Sequence, residues 1–394
     1  MRPATAAAQE AKAMTRREVI QKAIEGRITW AQAAGICGVT PRHMSRLRER
    51  HEKFGIEGLR DGRTGKRQPS RVPPAQIEEL CRLKREVYPD FSVRHFHEFA
   101  VAKHKLRLGY TWTRDILQSR GLVEKAPARG KYRRKRERRP MRGMLLHLDA
   151  STHSWIAGLP MWDLNVMLDD ADGRILFARF VEQEGTRSTL QALEHVMRRW
   201  GRFCEFYTDR GSHFCRTSKA GAAPDEDQSG QVARVLKALG IRHILARSPE
   251  ARGRSERAFG TIQGRLPQEL RLAAVGDYEA ANAYLTRVFV PDFNRRFTVE
   301  PTEPESAFVP LAGVDLRLLL SVHHDRTVYK DNTVVFGALV LQLPPGRDRI
   351  HYARCPVVVH ELLDDTLAVS YQGSLIARFR RDGQLVLTAK TKAA

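Results

Sequence analysis

Three acidic residues stand where acids look out of place. Asp149 closes the apolar run Met144-Leu145-Leu146-His147-Leu148, and Asp209 closes Phe206-Tyr207-Thr208. Glu256 lies in Ser248-Pro249-Glu250-Ala251-Arg252-Gly253-Arg254-Ser255-Glu256-Arg257, at the start of a helical segment. Burying a carboxylate is costly, so an acid ending a strand-like apolar run calls for a reason. Carboxylates from two strand ends and one helix can converge into a pocket for hard cations. Such a pocket suits Mg²⁺, which takes few carboxylates, keeps waters and completes its shell with substrate phosphates. Two ions held there would activate a water and stabilise a departing 3′-oxygen in phosphoryl transfer.

Other residues nearby compete for the same chemistry. Asp169, Asp170 and Asp172 are clustered in Asp169-Asp170-Ala171-Asp172-Gly173, but hairpin turns use Asp routinely, so these are assigned to structure. His153, four residues after Asp149, falls on the same side of a strand by alternation. It reads equally as a contact to the scissile phosphate and as a structural hydrogen bond near Trp155. No partner for His213 is identifiable from the sequence.

The elements that position these acids follow from periodicity. Leu145–Ala150, Trp162–Leu168 and Arg174–Val181 read as three successive strands, the last two joined by the acidic turn. Ser188 to Trp200 has helical spacing, Cys204 to Thr208 is a fourth strand, and Gln231–Leu239 is a helix ended by Gly240. Arg242–Ala246 is a fifth strand, and Pro249 to Leu272 a long helix interrupted near Gly260 and Gly264. Residues 143–310 therefore form an α/β domain of order βββαβαβα, the pattern of a ribonuclease H-like core. Its acids fall at the end of the first strand, after the fourth, and on the helix after the fifth. Residues 322–388 alternate short β runs with turns, as in a small β-barrel of the SH3-like kind. Its expected strands are Thr327–Tyr329, Thr333–Leu343, Val357–His360, Leu367–Tyr371 and Leu375–Phe379.

The N-terminal part is helical. Met1 to Ala13 reads as a short flexible tail. Within residues 14–56, Arg16 to Glu25 is a helix, Thr29 caps a second through Ala34, and Gly38 turns the chain. Thr40-Pro41 then opens a third helix to about Lys53. This is a helix-turn-helix whose last helix buries Met44 and Leu47 and presents Arg42, His43, Arg46 and Arg50 to phosphates and guanine edges. Residues 74–123 resemble a second, less clear unit, with helices Ala75–Val87, Val93–His104 and Thr111–Arg120 and N-caps at Ser92 and Thr111. The linker 124–142 contains Arg133, Arg134, Lys135 and Arg136, a block that cannot fold by itself but can track phosphates.

Charge segregation agrees. The net charge is +22, and residues 1–143 hold 35 Lys/Arg against 15 Asp/Glu. A basic arm on a near-neutral body suits a polyanion partner, here double-stranded DNA. No apolar run is long enough for a membrane span, so no membrane is expected. Five cysteines without metal-ligand spacing point to a reducing cytoplasm.

The ordered set of motifs resembles the DDE transposases of bacterial insertion sequences, ISNCY-type members above all, within the retroviral-integrase superfamily. Four stretches carry the resemblance: Leu148–Trp155, Leu168–Arg174, Phe206–Arg210 and Ala246–Arg257. It implies that Asp149, Asp209 and Glu256 bind two Mg²⁺ ions, with Mn²⁺ able to substitute, and that the protein cuts and joins DNA at transposon ends. It also implies a homo-oligomer on DNA, because two ends must be paired. Arg252, Arg254 and Arg257 beside Glu256 are then expected at DNA phosphates. One departure is the 46 residues between Asp209 and Glu256, more than the superfamily usually has. The excess maps to a loop at Arg216–Ser229, and surface loops accept insertion at small cost. The competing readings are a DNA-binding regulator with an inactive core and a ribonuclease H-like nuclease acting on hybrids.

Overall fold

The computed structural model describes residues 3–60, 72–125, 137–214, 230–246, 253–311, 313–346 and 349–386, with side chains in the first helix from residue 11 onward. The chain divides into two compact units, residues 1–83 and 84–394. Among the described residues no helix is long and apolar enough to cross a membrane.

The first unit is built of α1 (Pro3–Ile24), α2 (Trp30–Ile36), α3 (Pro41–Phe54), a 3-10 turn over Gly55–Leu59, and α4 (Pro74–Arg82). The first helix begins far earlier than Arg16 and takes in most of the expected tail. The reason is local: Ala is the strongest helix former, and residues 4–13 are rich in it. Thr29 caps α2 in a capping box with Gln32, and Thr40 caps α3 by accepting from the His43 N–H. Ile20, Ala33, Met44, Leu47 and Leu59 close a core among α1, α2, α3 and the 3-10 turn. Arg42, His43, Arg46 and Arg50 are all exposed on α3.

A π-turn (Leu83–Val87) spans the boundary, and the second unit continues with α5 (Val93–His104) and α6 (Tyr110–Ser119). Ser92 caps α5 as expected, but α6 starts one residue early, with Gly109 rather than Thr111 at its N-cap. The core sheet follows: β1 (Leu145–His153), β2 (Trp162–Asp169), β3 (Ile175–Val181), α7 (Thr186–Trp200), β4 (Glu205–Thr208), α8 (Gln231–Ala238) and β5 (Arg242–Leu245). The helical run after them is α9 (Gly253–Gln263), α10 (Leu266–Leu272), α11 (Tyr278–Tyr284), a π-turn over Leu285–Phe289, α12 (Val290–Phe297) and the short α13 (Leu316–Leu319). The sheet order is β3-β2-β1-β4-β5, with β1, β4 and β5 parallel and β2 antiparallel to both its neighbours, a mixed five-stranded ribonuclease H-like sheet.

Each face of that sheet buries its own apolar cluster. Leu146, Leu148, Met167 and Phe206 meet Leu190, Leu193 and Val196 of α7 and Val232, Val235 and Leu236 of α8. The opposite face gives Leu164, Val166, Leu168 and Phe180 to Phe259 and Ile262 of α9, Leu270 of α10 and Phe293 of α12.

The C-terminal part has β6 (Val322–Thr327), β7 (Thr333–Phe336), β8 (Leu339–Gln342), β9 (Pro356–Glu361), β10 (Leu367–Tyr371) and β11 (Ser374–Phe379). They form a four-stranded antiparallel sheet, β11-β10-β9-β6, and a separate β7–β8 hairpin over a shared core of Val334, Leu341, Val357, Val359 and Phe379. The expected single strand Thr333–Leu343 is broken because Gly337, at φ 58°, turns the chain back on itself.

Candidate active site

β1 and β4 run parallel with Leu145 opposite Glu205, Leu146 opposite Phe206 and His147 opposite Tyr207. The pairing ends there, with Asp149 two residues further along β1 and Asp209 the first residue after β4. Parallel partners point to the same side of a sheet, and the His147 and Tyr207 rings, 4.9 Å apart, show the side in question. The antiparallel partners agree: Asp149 faces Val166 and Ser151 faces Leu164, both in the cluster under α9. Asp149 therefore stands on the face over which the Glu256 helix is laid, and Asp209 directly follows the neighbouring strand.

Burial opens outward along the set. Asp149 is 8% exposed, Asp209 is half-buried, and Glu256 is exposed on the first turn of α9. One Asp209 carboxylate oxygen accepts the Gly211 N–H at 2.8 Å, and Thr208 links through its hydroxyl to His243 at 2.9 Å. Burial pushes His243 down to about 4, so this neighbour is a neutral ring at physiological pH. Among the described residues no three His, Cys, Asp or Glu side chains are gathered as a ready ion-binding group. The oxygen-only donor set nevertheless suits a hard cation, with Glu256 as the solvent-facing member.

The acidic turn is structural, as expected, and far more than a turn. Asp169 accepts the N–H groups of Gly143 and Ala171 at 2.8 and 2.9 Å, and burial raises it to about 6, with Asp172 and Asp170 adding to the rise. Asp170 accepts from His147 at 2.8 Å and from the Arg139 N–H at 2.8 Å, and also pairs with Arg254. Asp172 pairs with Arg142 at 2.8 Å. Arg254, expected at DNA, is thus turned inward, with a side chain only 20% exposed. Arg257 is exposed on the same helix. Arg133, Arg134, Lys135, Arg136 and Arg252, and the loop at Arg216–Ser229, lie outside the described residues.

Sequence reasoning missed His147 and Gln263, which bonds Ser151 at 2.7 Å. A signal for the first was available: His147 is the polar residue in an apolar run, at the same strand parity as Asp149. His213 finds Glu184 at 3.6 Å, and His153 packs edge-on against Trp155 at 5.1 Å.

Comparison with known proteins decides the family. A family model described as a helix-turn-helix domain matches residues 15–67. The chain is 26% identical to the transposase for insertion sequence IS1202 of Streptococcus pneumoniae, over 79% of this chain and 76% of that protein. It is 30% identical to the putative transposase y4bF of Sinorhizobium fredii, over 91% of this chain and 79% of that protein. The chain belongs to the transposases of insertion sequences. Among solved structures, the transposase aligns with the HTLV-2 integrase catalytic core domain in complex with magnesium. The TM-score is 0.29 at 16% identity, over 38% of this chain and 89% of that one. A chain of the simian T-cell lymphotropic virus intasome in complex with PP2A regulatory subunit B56 gamma aligns at TM-score 0.32 and 14% identity, over 72% and 98%. The family assignment rests on the sequence relatives.

Proposed function

We propose that this transposase cuts and joins duplex DNA at the ends of its element with Asp149, Asp209 and Glu256 as the acids that hold two Mg²⁺ ions, Mn²⁺ substituting. The observation that supports the reading is the parallel pairing of β1 with β4, which puts Asp149 on one strand and Asp209 just past the end of its neighbour. The ions, when bound, supply the charge that activates a water and offsets the developing negative charge at a departing 3′-oxygen. The protein's own residues do the rest. Asp149 and Asp209 supply two carboxylates, and Glu256 adds the third from the helix. Arg257, and Arg252 before it, bind phosphates of the strand being cut. Arg42, His43, Arg46 and Arg50 read the terminal repeat in the major groove.

The same reading extends to the rest of the chain. Residues 14–56 are the recognition domain, 74–123 a second helical DNA-binding element, 124–142 a phosphate-tracking linker, 143–310 the catalytic core, and 322–388 a small barrel closed by the β7–β8 hairpin. The protein acts as a homo-oligomer in the bacterial cytoplasm, since two ends must be synapsed.

The test is release of a labelled strand from a terminal-repeat duplex. Asp149→Asn, Asp209→Asn and Glu256→Gln keep size and remove charge. Each is expected to abolish cleavage in Mg²⁺ and Mn²⁺ while gel-shift affinity for the repeat stays within about twofold of wild type, because recognition lies on α3. Activity retained by any of the three removes that residue from the site. Cleavage of RNA–DNA hybrids in preference to duplex DNA favours the nuclease reading instead.

A further inference from the structure

The helix that carries Glu256 is held on the sheet by two polar anchors that bracket Asp149. At its N-terminal end Arg254 pairs with the Asp170 carboxylate and donates to the Asp170 carbonyl at 2.9 Å. The same carboxylate accepts from His147, two residues before Asp149, at 2.8 Å, and the Asp170 N–H donates to Leu145 of β1 at 3.0 Å. At its C-terminal end Gln263 donates to Ser151, two residues after Asp149, at 2.7 Å. Between the anchors, Ser255, Phe259 and Ile262 are buried against the sheet. Apolar contact holds a helix down but is non-directional and lets it slide. Hydrogen bonds at both ends fix its register along β1.

We infer that Asp170 and Arg254 are positioning residues that set Glu256 against Asp149 and Asp209. The inference rests on the proposed acid site. Arg254 acts through the helix and not on DNA: its guanidinium is mostly buried and lies against Asp170, itself 1% exposed. A displacement near 1 Å at a reacting centre is worth on the order of a hundredfold in rate.

The experiment uses the full-length protein with Asp170→Asn, Arg254→Gln, Arg254→Lys and the Asp170→Asn/Arg254→Gln double variant. Three readouts are taken: Mn²⁺ binding by electron paramagnetic resonance without DNA, single-turnover cleavage at saturating duplex, and gel-shift affinity across salt. The expected result is Mn²⁺ binding weakened about tenfold and cleavage slowed tenfold to a hundredfold, with DNA affinity and its salt slope unchanged. Arg254→Lys is expected to lie between Arg254→Gln and wild type. The double variant is expected to be no worse than the weaker single, since the two residues act as one unit. Weaker DNA binding with a flatter salt slope and intact Mn²⁺ binding makes Arg254 a phosphate contact and overturns the inference. A lowered melting temperature with both Mn²⁺ binding and rate at wild-type values overturns it too. Glu256→Gln is the separate control: if it binds Mn²⁺ and cleaves like wild type, the acid site itself fails.

Discussion

Two groups of acids share the core sheet and live in opposite surroundings. Asp169, Asp170 and Asp172 are at most 2% exposed, and their oxygens are met by backbone N–H groups, by His147 and by the guanidinium groups of Arg142 and Arg254. Asp149, Asp209 and Glu256 run from buried to exposed and open toward solvent. The first group is denser in sequence, yet it serves to join the end of the basic linker, β1 and α9. Clustering in sequence therefore does not mark the acids proposed to hold the metals: the clustered group is tied into the fold by backbone and side-chain donors.

That contrast breaks first where rate and stability part company. Asp209→Asn is expected to lower cleavage by roughly a thousandfold or more, about 4 kcal/mol in barrier. Its unfolding midpoint without metal should be little changed, because Asp209 is half-buried and Asn keeps an oxygen for the Gly211 N–H. Asp172→Ala is expected to do the reverse. It leaves Arg142 and Arg174 without their shared acceptor and costs about 2 kcal/mol of stability, discounted for the partial exposure of both arginines. Its turnover per folded molecule should stay within about twofold. Urea unfolding and strand release measured on both variants decide it: a stable, active Asp172→Ala would strip the turn of its structural role.

Acidity sharpens the comparison. Asp169 has its pKa raised to about 6 by burial, above the usual range near 4. The folded protein then binds a proton between about pH 4 and 6 that the unfolded chain has released. Stability from this group therefore falls as pH rises through that window, by on the order of 2–3 kcal/mol, and stays lower above it. Unfolding of wild type and Asp169→Asn at pH 4, 5, 6 and 7 should show the wild type losing ground to the variant as pH rises. A constant difference across that range would mean that Asp169 ionises normally in the fold.

How much of this was open to a reader of the sequence depended on range. Thr40-Pro41 with Met44 and Leu47 specified α3, its cap and its buried face, because all four signals lie within one helix. Leu145 to Asp149 specified a strand but not its extent: β1 runs on to His153, so Asp149 lies within the strand and not at its end. The order of strands and acids then led to the right sheet. The early start of α1 was missed because an Ala-rich segment was read by its lack of charge rather than by its propensity. α11, α12 and the π-turn between them went unassigned, although their apolar positions Tyr278, Ala281, Leu285, Phe289 and Phe293 complete the cluster under α9. The pairings that fix the site were out of reach. Arg254 bonds a carbonyl 84 positions away, and Glu98 of α5 meets Arg265 across 167. Nothing local distinguishes an arginine bound for a buried acid from one bound for a phosphate.

The smallest expected effect tests that last distinction on one helix. Arg254 and Arg257 are three residues apart on α9, and the first belongs to the acidic turn while the second is exposed. If Arg257 meets a DNA phosphate, Arg257→Ala removes one neutralised charge. Affinity for terminal and random duplexes should then fall alike, about threefold at moderate salt, and the slope of log affinity against log salt should flatten by roughly one. Melting temperature and Mn²⁺ binding should not move, since Arg257 anchors nothing on the sheet. Fluorescence anisotropy across a salt series measures the slope. An unchanged slope, with affinity equal to wild type, would place Arg257 outside the DNA path and leave the phosphates near Glu256 to residues other than those of α9.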